Sequence, residues 1–508
     1  MEAWRNLKKK ALSRQKNQNC EAKAREAIET DVYYTLVPTD YMSKVCGLSA
    51  VKLIPNKEAK TSDKVDSGAV AYGIALAVAL TAAQCWGLYR DTRDGWQNST
   101  RLFSKTAIAV TGSDVFFVIC VTIFAILGSS TRWKHVHHAL DKIVQADAKL
   151  DVSTTPTINL RKLSIILIAC TMVYLISIST LDYISWKIVY MPKMNNTKNT
   201  DKGPINYSPM YFMYMVIVAL QMQYAIILMN LGERFSRLNS TIECLTKTND
   251  IIDYFRKDMG LAARGSRHEV WRPFVGPSDS RNRQRRFSRA AVKPSEGTID
   301  ARADSTPRDR AAVFAGAMCG SGSASEAIEQ LIAVHEILCD SIIRVNKAYG
   351  VILLLCTLSC LIHLVITLYF LYAEINSSTR RSYVFIRQIG WIIFHIYKMM
   401  LFVQPPYMVT YKAQVTGSLV SKALASEWDP QVRKQLERFA LQLLHRPVKF
   451  NACGLFCLNR GLLTSMTGAV TTYLVILVQF QNSDDDETRK LLQNASDLLK
   501  NVHGVGKP

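Results

Sequence analysis

Nothing in these 508 residues reads as a reaction centre. There is no phosphate-binding glycine loop, nucleophile elbow, paired carboxylate set or metal-ligand pattern in a credible context, so no catalytic residue, metal or cofactor is expected. The twelve cysteines are scattered, several inside apolar stretches, and no spacing repeats as a zinc or disulfide framework would. Cys453 and Cys457 read as buried free thiols one helical turn apart. His135, His137 and His138 have a single carboxylate, Asp141, and no cysteine beside them, which favours a helix over a metal site. Acidic side chains are scarce, 41 against 62 Lys and Arg, for a net charge of +21. The opening MEAWRNLKKK lacks the apolar core and cleavage site of a secretory signal, so insertion is expected to rely on the first apolar span.

Strong basicity normally travels with polarity, yet 49% of the residues are hydrophobic and the mean hydropathy is +0.05. Apolar and basic residues must therefore be segregated. Seven stretches are long enough to cross a hydrocarbon layer of about 30 Å, at roughly 67–89, 106–128, 163–187, 209–231, 347–373, 384–409 and 463–480. Lipid leaves backbone groups no partner but their own helix, so the expected fold is all-α, a polytopic membrane protein with seven transmembrane helices.

Lys and Arg crowd the first 66 residues and the connections 129–162, 232–346 and 411–462, which the positive-inside rule assigns to the cytoplasm. Glycosylation acceptors at Asn98, Asn195, Asn206, Asn376 and Asn494 all fall in segments assigned outside, whereas Asn239 falls inside and should stay bare. The expected N-terminus is cytoplasmic and the C-terminus extracellular. That is the reverse of a G-protein-coupled receptor, and no Asp-Arg-Tyr follows the third span.

Five regions are expected. Residues 1–66 form a cytoplasmic segment whose part from Val32 to Ile54 either lies on the inner membrane face or packs on the bundle. Residues 67–256 carry spans one to four and an inner extension. Residues 257–322, rich in Arg, Ser, Gly and Ala, read as a disordered basic cytoplasmic loop. There Arg285-Arg286-Phe287-Ser288 suits a basophilic kinase, with Ser288 the phosphorylation candidate, although a tolerated insertion or mistranslated sequence explains the segment as well. Residues 323–480 hold an inner helix, spans five and six, and the last span; residues 481–508 form an extracellular acidic tail opening with Asp484 to Glu487. Apolar residues three and four apart at Phe235, Leu238, Ile242 and Leu245, and at Ile328, Leu331, Ile332, His335, Leu338 and Ile342, predict helices running well beyond the membrane. Leu436, Phe439, Ala440, Leu443 and Leu444 predict another. Pro405-Pro406 should kink or end the sixth helix.

The last apolar stretch ends in Thr472-Tyr473, the five aliphatics Leu474 to Val478, and Gln479-Phe480. This string resembles the signature of the insect gustatory receptor family, and the run from Lys449 to Phe480 is similar to its sugar-sensing, fructose-receptor branch. The glucose and trehalose branch carries Glu where this chain has Gln479. The resemblance implies an inverted seven-helix protein that assembles as a tetrameric cation channel, the inner extensions forming a central anchor and four copies of the seventh helix lining the pore. It implies closure by the terminal Gln-Phe pair. A stripe through Thr472, Ile476, Gln479 and Phe480 would face one way, and an apolar ring of Ile476 and Phe480 can gate by dewetting. Gln479 and Tyr473 are equally able to tie neighbouring helices together.

The expected recognition site lies in the outer halves of the spans: Asp182, Tyr183 and Trp186, then Tyr369, then Arg387, Gln388 and Trp391. An ionisable group at that depth usually faces protein or a wet cavity, which singles out Asp182. Aromatic faces suit the C–H surfaces of a sugar, and amide or carboxylate groups suit its neighbouring hydroxyls. Fructose-receptor relatives present a Gln with a Trp three residues on, as Gln388 and Trp391 do here. Trp and Tyr also gather at membrane interfaces without any ligand, and Gln388 can serve a neighbouring helix. The expected function is thus a sugar-gated, non-selective cation channel in the plasma membrane of a sensory neuron or nutrient-sensing cell. Its partners would be a small-molecule tastant such as fructose, cations, membrane lipid and other gustatory receptors in a homo- or hetero-tetramer, with no nucleic acid. A bitter-compound receptor or co-receptor subunit, and a metabotropic seven-helix receptor, are the alternatives.

Overall fold

The computed structural model describes residues 32–49, 66–93, 105–150, 158–189, 203–265, 324–375 and 382–504. Asn98, Asn195, Ser288 and Asn376 lie outside the described residues. Within them the chain is helical: α1 (32–45), α2 (Ser67–Arg93), α3 (Lys105–Leu127), α4 (Ser129–Lys149), α5 (Ile158–Val189), α6 (Ser208–Gly265), α7 (Ala324–Ile375), α8 (Ser382–Leu424), α9 (Pro430–His445) and α10 (Gly461–Gly504). A short antiparallel ribbon, β1 (Asn451–Ala452) with β2 (Phe456–Cys457), separates α9 from α10.

Seven helices, α2, α3, α5, α6, α7, α8 and α10, are long and apolar enough to cross a bilayer. The hydroxyls of Thr171, Ser179, Thr357 and Thr467 bond the carbonyl one turn back, so these four are satisfied within their own helices. What hydropathy does not give is where the helices stop. The 58 residues of α6 run about 87 Å and the 52 of α7 about 78 Å at 1.5 Å per residue, far beyond a hydrocarbon layer of about 30 Å. The helix α8 passes through Pro405 and Pro406 without ending, so the expected alternative of termination there is set aside. Likewise α10 continues past Phe480 to Gly504, making residues 481–504 helix rather than an irregular tail.

The chain divides into two compact units. The larger comprises residues 1–234, 336–413 and 448–508, and its core is α6, whose Met213, Val216, Ile217, Ala225 and Leu228 are all buried. Onto it packs α1, with Val32 and Leu36 buried and Thr35 bonded to Asn230; the segment from Val32 thus packs on the bundle. Gly47, in the left-handed region at φ 67°, ends the turn after α1, and a Cβ there would stand 3.0 Å from the Gly73 backbone of α2, so the contact admits only glycine. Arg234 is fully buried and forks onto Asp147 of α4 at 2.8–3.2 Å while also reaching Asn230. The histidine-bearing segment is the helix α4, and no group of three or more His, Cys, Asp or Glu able to hold a metal occurs among the described residues.

The smaller unit comprises residues 235–335 and 414–447. Its interior is built from the predicted stripes: Phe235, Leu238, Ile242 and Leu245 from α6, Ile328 and Leu331 from α7, and Leu436 and Phe439 from α9. The ring of His335 sits edge-on between Phe235 (6.0 Å) and Phe439 (5.6 Å). Thr416 donates to Asn239, whose side chain is buried in this interior. On α9 the stripe fails only at Leu444, which is 74% exposed.

Candidate ligand-binding site

A cavity of about 110 Å³ opens in the larger unit where α5 ends and α6 and α8 begin. Five helices reach it: α3 through Thr111 and Asp114, α5 through Asp182 and Trp186, α6 through Met210, Tyr211 and Tyr214, α7 through Ile366, Thr367 and Phe370, and α8 through Arg387, Gln388, Trp391 and His395. The turn before α6 adds Gly203, Pro204 and Tyr207. Gln388, Trp391 and His395 recur three and four apart on α8, and Tyr207, Tyr211 and Tyr214 do the same along the start of α6, so each helix offers one face.

Asp182 organises one wall. It is 1% exposed and accepts from the Tyr211 hydroxyl (2.7 Å) and the Trp391 indole N–H (3.1 Å), with the Arg387 guanidinium 3.5 Å away. A buried carboxylate is tolerated only with such partners. The Tyr211 and Trp391 rings they hold are stacked at 6.0 Å, and Tyr214 closes on Trp391 at 5.3 Å. On the opposite side the His363 imidazole lies 3.0 Å from Asp114 and stacks at 5.0 Å on His395, which in turn stacks on Trp391. Among the described residues, three buried nitrogens of the cavity lining meet no hydrogen-bond partner: Trp186 Nε1, Arg387 Nε and His395 Nδ1. The site combines flat aromatic walls with unspent polar groups, the composition of a pocket for a small polar molecule.

Sequence reasoning placed Asp182, Trp186, Gln388 and Trp391 here, and all four line the cavity. Tyr369 is a correction. It is fully buried with Val110 and Ile366, and Leu474 and Leu477 of α10 pack against that cluster; the aromatic on α7 that lines the cavity is its neighbour Phe370. One residue is about 100° of helix, enough to move a side chain from one surface to another. Tyr183 is 43% exposed and outside the lining. Tyr207, Tyr211 and Tyr214, together with Asp114, His363 and His395, are not among the residues singled out from the sequence; the four-then-three spacing of the tyrosines is the available signal.

Comparison with known proteins points to the family. A model described as 7tm Chemosensory receptor matches residues 294–483. The gustatory receptor for sugar taste 43a of Drosophila melanogaster is 24% identical over 447 residues, covering 87% of this chain and 97% of its own length. Together these likenesses support the insect gustatory receptor family. The chain's fold is that of the insect olfactory receptor OR5 from Machilis hrabei, with a TM-score of 0.52 at 12% identity, covering 87% of this chain and 97% of that one. The same olfactory receptor in complex with eugenol gives a TM-score of 0.51 at 12% identity, covering 91% and 99%.

The receptor's last span is held by one face only. Met466 and Val470 are buried, and Leu474 and Leu477 rest on the Val110–Ile366–Tyr369 cluster. At about 100° per residue, Thr472, Ile476 and Gln479 point away from that contact and Tyr473 and Phe480 lie on its flanks. All five are exposed, Ile476 by 39%, Tyr473 by 54% and Phe480 by 61%. The Thr472 hydroxyl is bonded to the Gly468 carbonyl, leaving its methyl as the outward feature. Ile366 belongs both to the cavity lining and to the cluster under α10, so cavity and last span share a side chain.

Two of the five glycosylation acceptors assigned outside are described. Asn494 is exposed on the continuation of α10. Asn206 is buried and its amide nitrogen donates to Asp91, so the expectation of a glycan there is withdrawn. The cysteine pair is also corrected. Cys453 and Cys457 are neither helical nor buried; both are exposed on the β1–β2 ribbon, Cys453 at φ 52° beside Gly454 at φ 76°.

Proposed function

We propose that this receptor is a ligand-gated, non-selective cation channel opened by a small sugar such as fructose. The observation that carries the reading is the cavity itself, aromatic on its walls and left with unpartnered Trp186, Arg387 and His395 nitrogens beside Gln388. Drug-sized ligands occupy roughly 300–1,000 Å³. A cavity of about 110 Å³ favours something as compact as a monosaccharide and disfavours bulky compounds. The relation to a receptor for sugar taste points the same way.

Gating follows from the shared side chain. A ligand that fills the cavity bears on Ile366, a member of the cluster against which Leu474 and Leu477 of α10 pack, so it biases the seat of the last span. Ligand favours opening only by binding the open arrangement more tightly than the closed one. Thr472, Ile476 and Gln479, with Tyr473 and Phe480 on the flanks, are all exposed, which supports a tetramer with these faces turned to a central pore. The exposed Leu441 and Leu444 of α9 support contacts between inner extensions. In this reading the N-terminus is cytoplasmic, Asn98, Asn195, Asn376 and Asn494 lie outside, and Ser288 lies in reach of a cytoplasmic kinase. The plasma membrane of a chemosensory or nutrient-sensing cell is the expected location.

The aromatic walls also favour a second reading, a receptor for compact aromatic compounds, since the olfactory neighbour is solved with eugenol. Whole-cell current separates them. Fructose should evoke a fast inward current that Gln388→Ala abolishes, and Phe480→Ala should raise the basal leak. Silence to sugars with responses to aromatic tastants would replace the first reading by the second, and silence to both would point to a co-receptor subunit.

A further inference from the structure

The correction at Cys453 and Cys457 leaves an unexplained pair of exposed nucleophiles four residues before the last span begins. The ribbon that carries them is fixed to α7, because Asn346 donates to the Lys449 carbonyl at 2.9 Å. Between ribbon and helix lies a groove of about 370 Å³, bounded by Ile343, Lys347, Gly350 and Val351 on α7 and by Asn451 and Cys453 on the ribbon. Gly350 makes the room: a Cβ there would stand 3.5 Å from the Cys453 sulfur and 3.3 Å from its backbone nitrogen.

The groove sits where α7 enters the membrane. Ile343 (50% exposed), Val351 (59%) and Leu358 (42%) lie along one face of α7 with Lys347 between the first two. Reading along that face, a cation at the expected start of the fifth span gives way to an outward apolar lane. Such a lane is what a lipid-facing helix presents, and a lysine at its end keeps its ammonium at the headgroups. The ribbon adds its own apolar tip, Leu455 at 70% exposure, and Arg460, whose guanidinium lies 4.0 Å over the Tyr407 ring. On α4, the His135 imidazole is held below its ordinary value by partial burial and then by Arg344, Lys347 and His138, so the groove's surroundings are electropositive. Anionic lipid headgroups are the natural complement to that charge.

We infer that the ribbon is an S-acylation site, with Cys453 as the principal acceptor and Cys457 beside it, and that the acyl chain lies in the groove and along Val351 into the hydrocarbon layer. In the reaction the Cys453 sulfur attacks the thioester carbonyl of a long-chain acyl-coenzyme A, delivered by a membrane acyltransferase. A new sulfur–carbonyl bond forms, the bond to coenzyme A breaks, and the cysteine proton ends on the coenzyme A thiol. Juxtamembrane cysteines beside basic residues are the usual substrates of this chemistry. One chain adds little to the attachment of a protein that already spans the membrane. Its effect is local: it pins to the bilayer surface the ribbon from which α10 starts. The inference rests on the proposed orientation, since acyl-coenzyme A is cytoplasmic.

The test uses the full-length receptor in insect cells fed an alkynyl fatty acid, with hydroxylamine-sensitive label read on receptor recovered from the cell surface. Wild type and Cys85→Ser/Cys170→Ser, which removes exposed cysteines elsewhere, should carry label. Cys453→Ser should lose most of it, and Cys453→Ser/Cys457→Ser should fall to the level without hydroxylamine. Cys453→Ala alongside, with surface delivery measured, separates lost acylation from lost folding. Unlabelled wild type at the surface, or label unchanged in the double variant, overturns the inference. A membrane-impermeant maleimide, used after hydroxylamine has freed the thiols, checks orientation separately. The ribbon cysteines should react only after permeabilisation, and reaction in intact cells would overturn the orientation and this inference together.

Discussion

The fourth and seventh spans are nearly matched in hydropathy, 1.9 and 1.7, yet 83% of the first and only 11% of the second is buried within the subunit. Hydropathy reports that a segment is more comfortable out of water; it carries no information on whether protein or lipid replaces the water. The fourth span, in α6, is the subunit's core and touches neighbours all round. The seventh, in α10, is attached along Met466, Val470, Leu474 and Leu477 and otherwise bare. A span that is bare on the face carrying Thr472 and Gln479 is poorly suited to lipid on every side, so the contrast separates a structural helix from one that the proposed assembly would cover with other copies of the chain.

The sharpest way to break the contrast is on α6. Arg234→Met strips the buried Asp147 carboxylate of its guanidinium, and breaking such a pair costs about 3–5 kcal/mol. The variant should fail to reach the surface, and adding Asp147→Asn should restore a measurable fraction because the uncompensated charge is then gone. Next comes Leu228→Ala, at a fully buried position of the same helix, with an expected loss of about 2–5 kcal/mol in the thermal unfolding of detergent-purified receptor. Val475→Ala, 52% exposed on α10, should stay within about 0.5 kcal/mol of wild type in the same assay. Equal losses at the two positions would mean that α10 is packed as tightly as α6 in the working assembly.

The cavity gives effects of intermediate size. Trp391→Phe keeps the ring that stacks on Tyr211 but removes the N–H that reaches Asp182, worth about 1–2 kcal/mol. The concentration of ligand for half-maximal current should rise about 5- to 30-fold with surface expression unchanged. An unchanged dose response would detach the Asp182 wall from recognition.

The spans were legible because lipid imposes a single rule on every backbone group, and all seven fall where the apolar runs lie. The ends of α6, α7, α8 and α10 were less so, since each helix runs on past its apolar stretch and hydropathy does not mark where it stops. Within the cavity, Asp182, Gln388 and Trp391 stood out as polar or amphipathic groups in apolar runs. Tyr207, Tyr211 and Tyr214 did not, because tyrosines near a span end are equally what interface anchoring produces. Tyr369 was misplaced by one position, a distinction that only packing resolves. The ribbon was missed because a spacing of four suggests a helix, while the Cys453-Gly454 pair takes the positive φ values that turn the chain back on itself.

The smallest effect tests whether the bare helix is driven from the cavity. Leu477 is half-buried on the Val110–Ile366–Tyr369 cluster, so Leu477→Ala removes a contact worth about 1 kcal/mol and should leave folding nearly intact. Its influence should instead appear as coupling: a modest, about fivefold, fall in the ratio of ligand-evoked to basal current, since 1 kcal/mol is about that factor in an equilibrium. Ile476→Ala, turned away from that contact on the exposed side of the helix, should raise basal current while leaving the ligand concentration for half-maximal response close to wild type. If Leu477→Ala and Ile476→Ala gave the same pattern, the two faces of α10 would not be doing different jobs. The division into a face that receives the cavity's push and a face that closes the pore would then have to be abandoned.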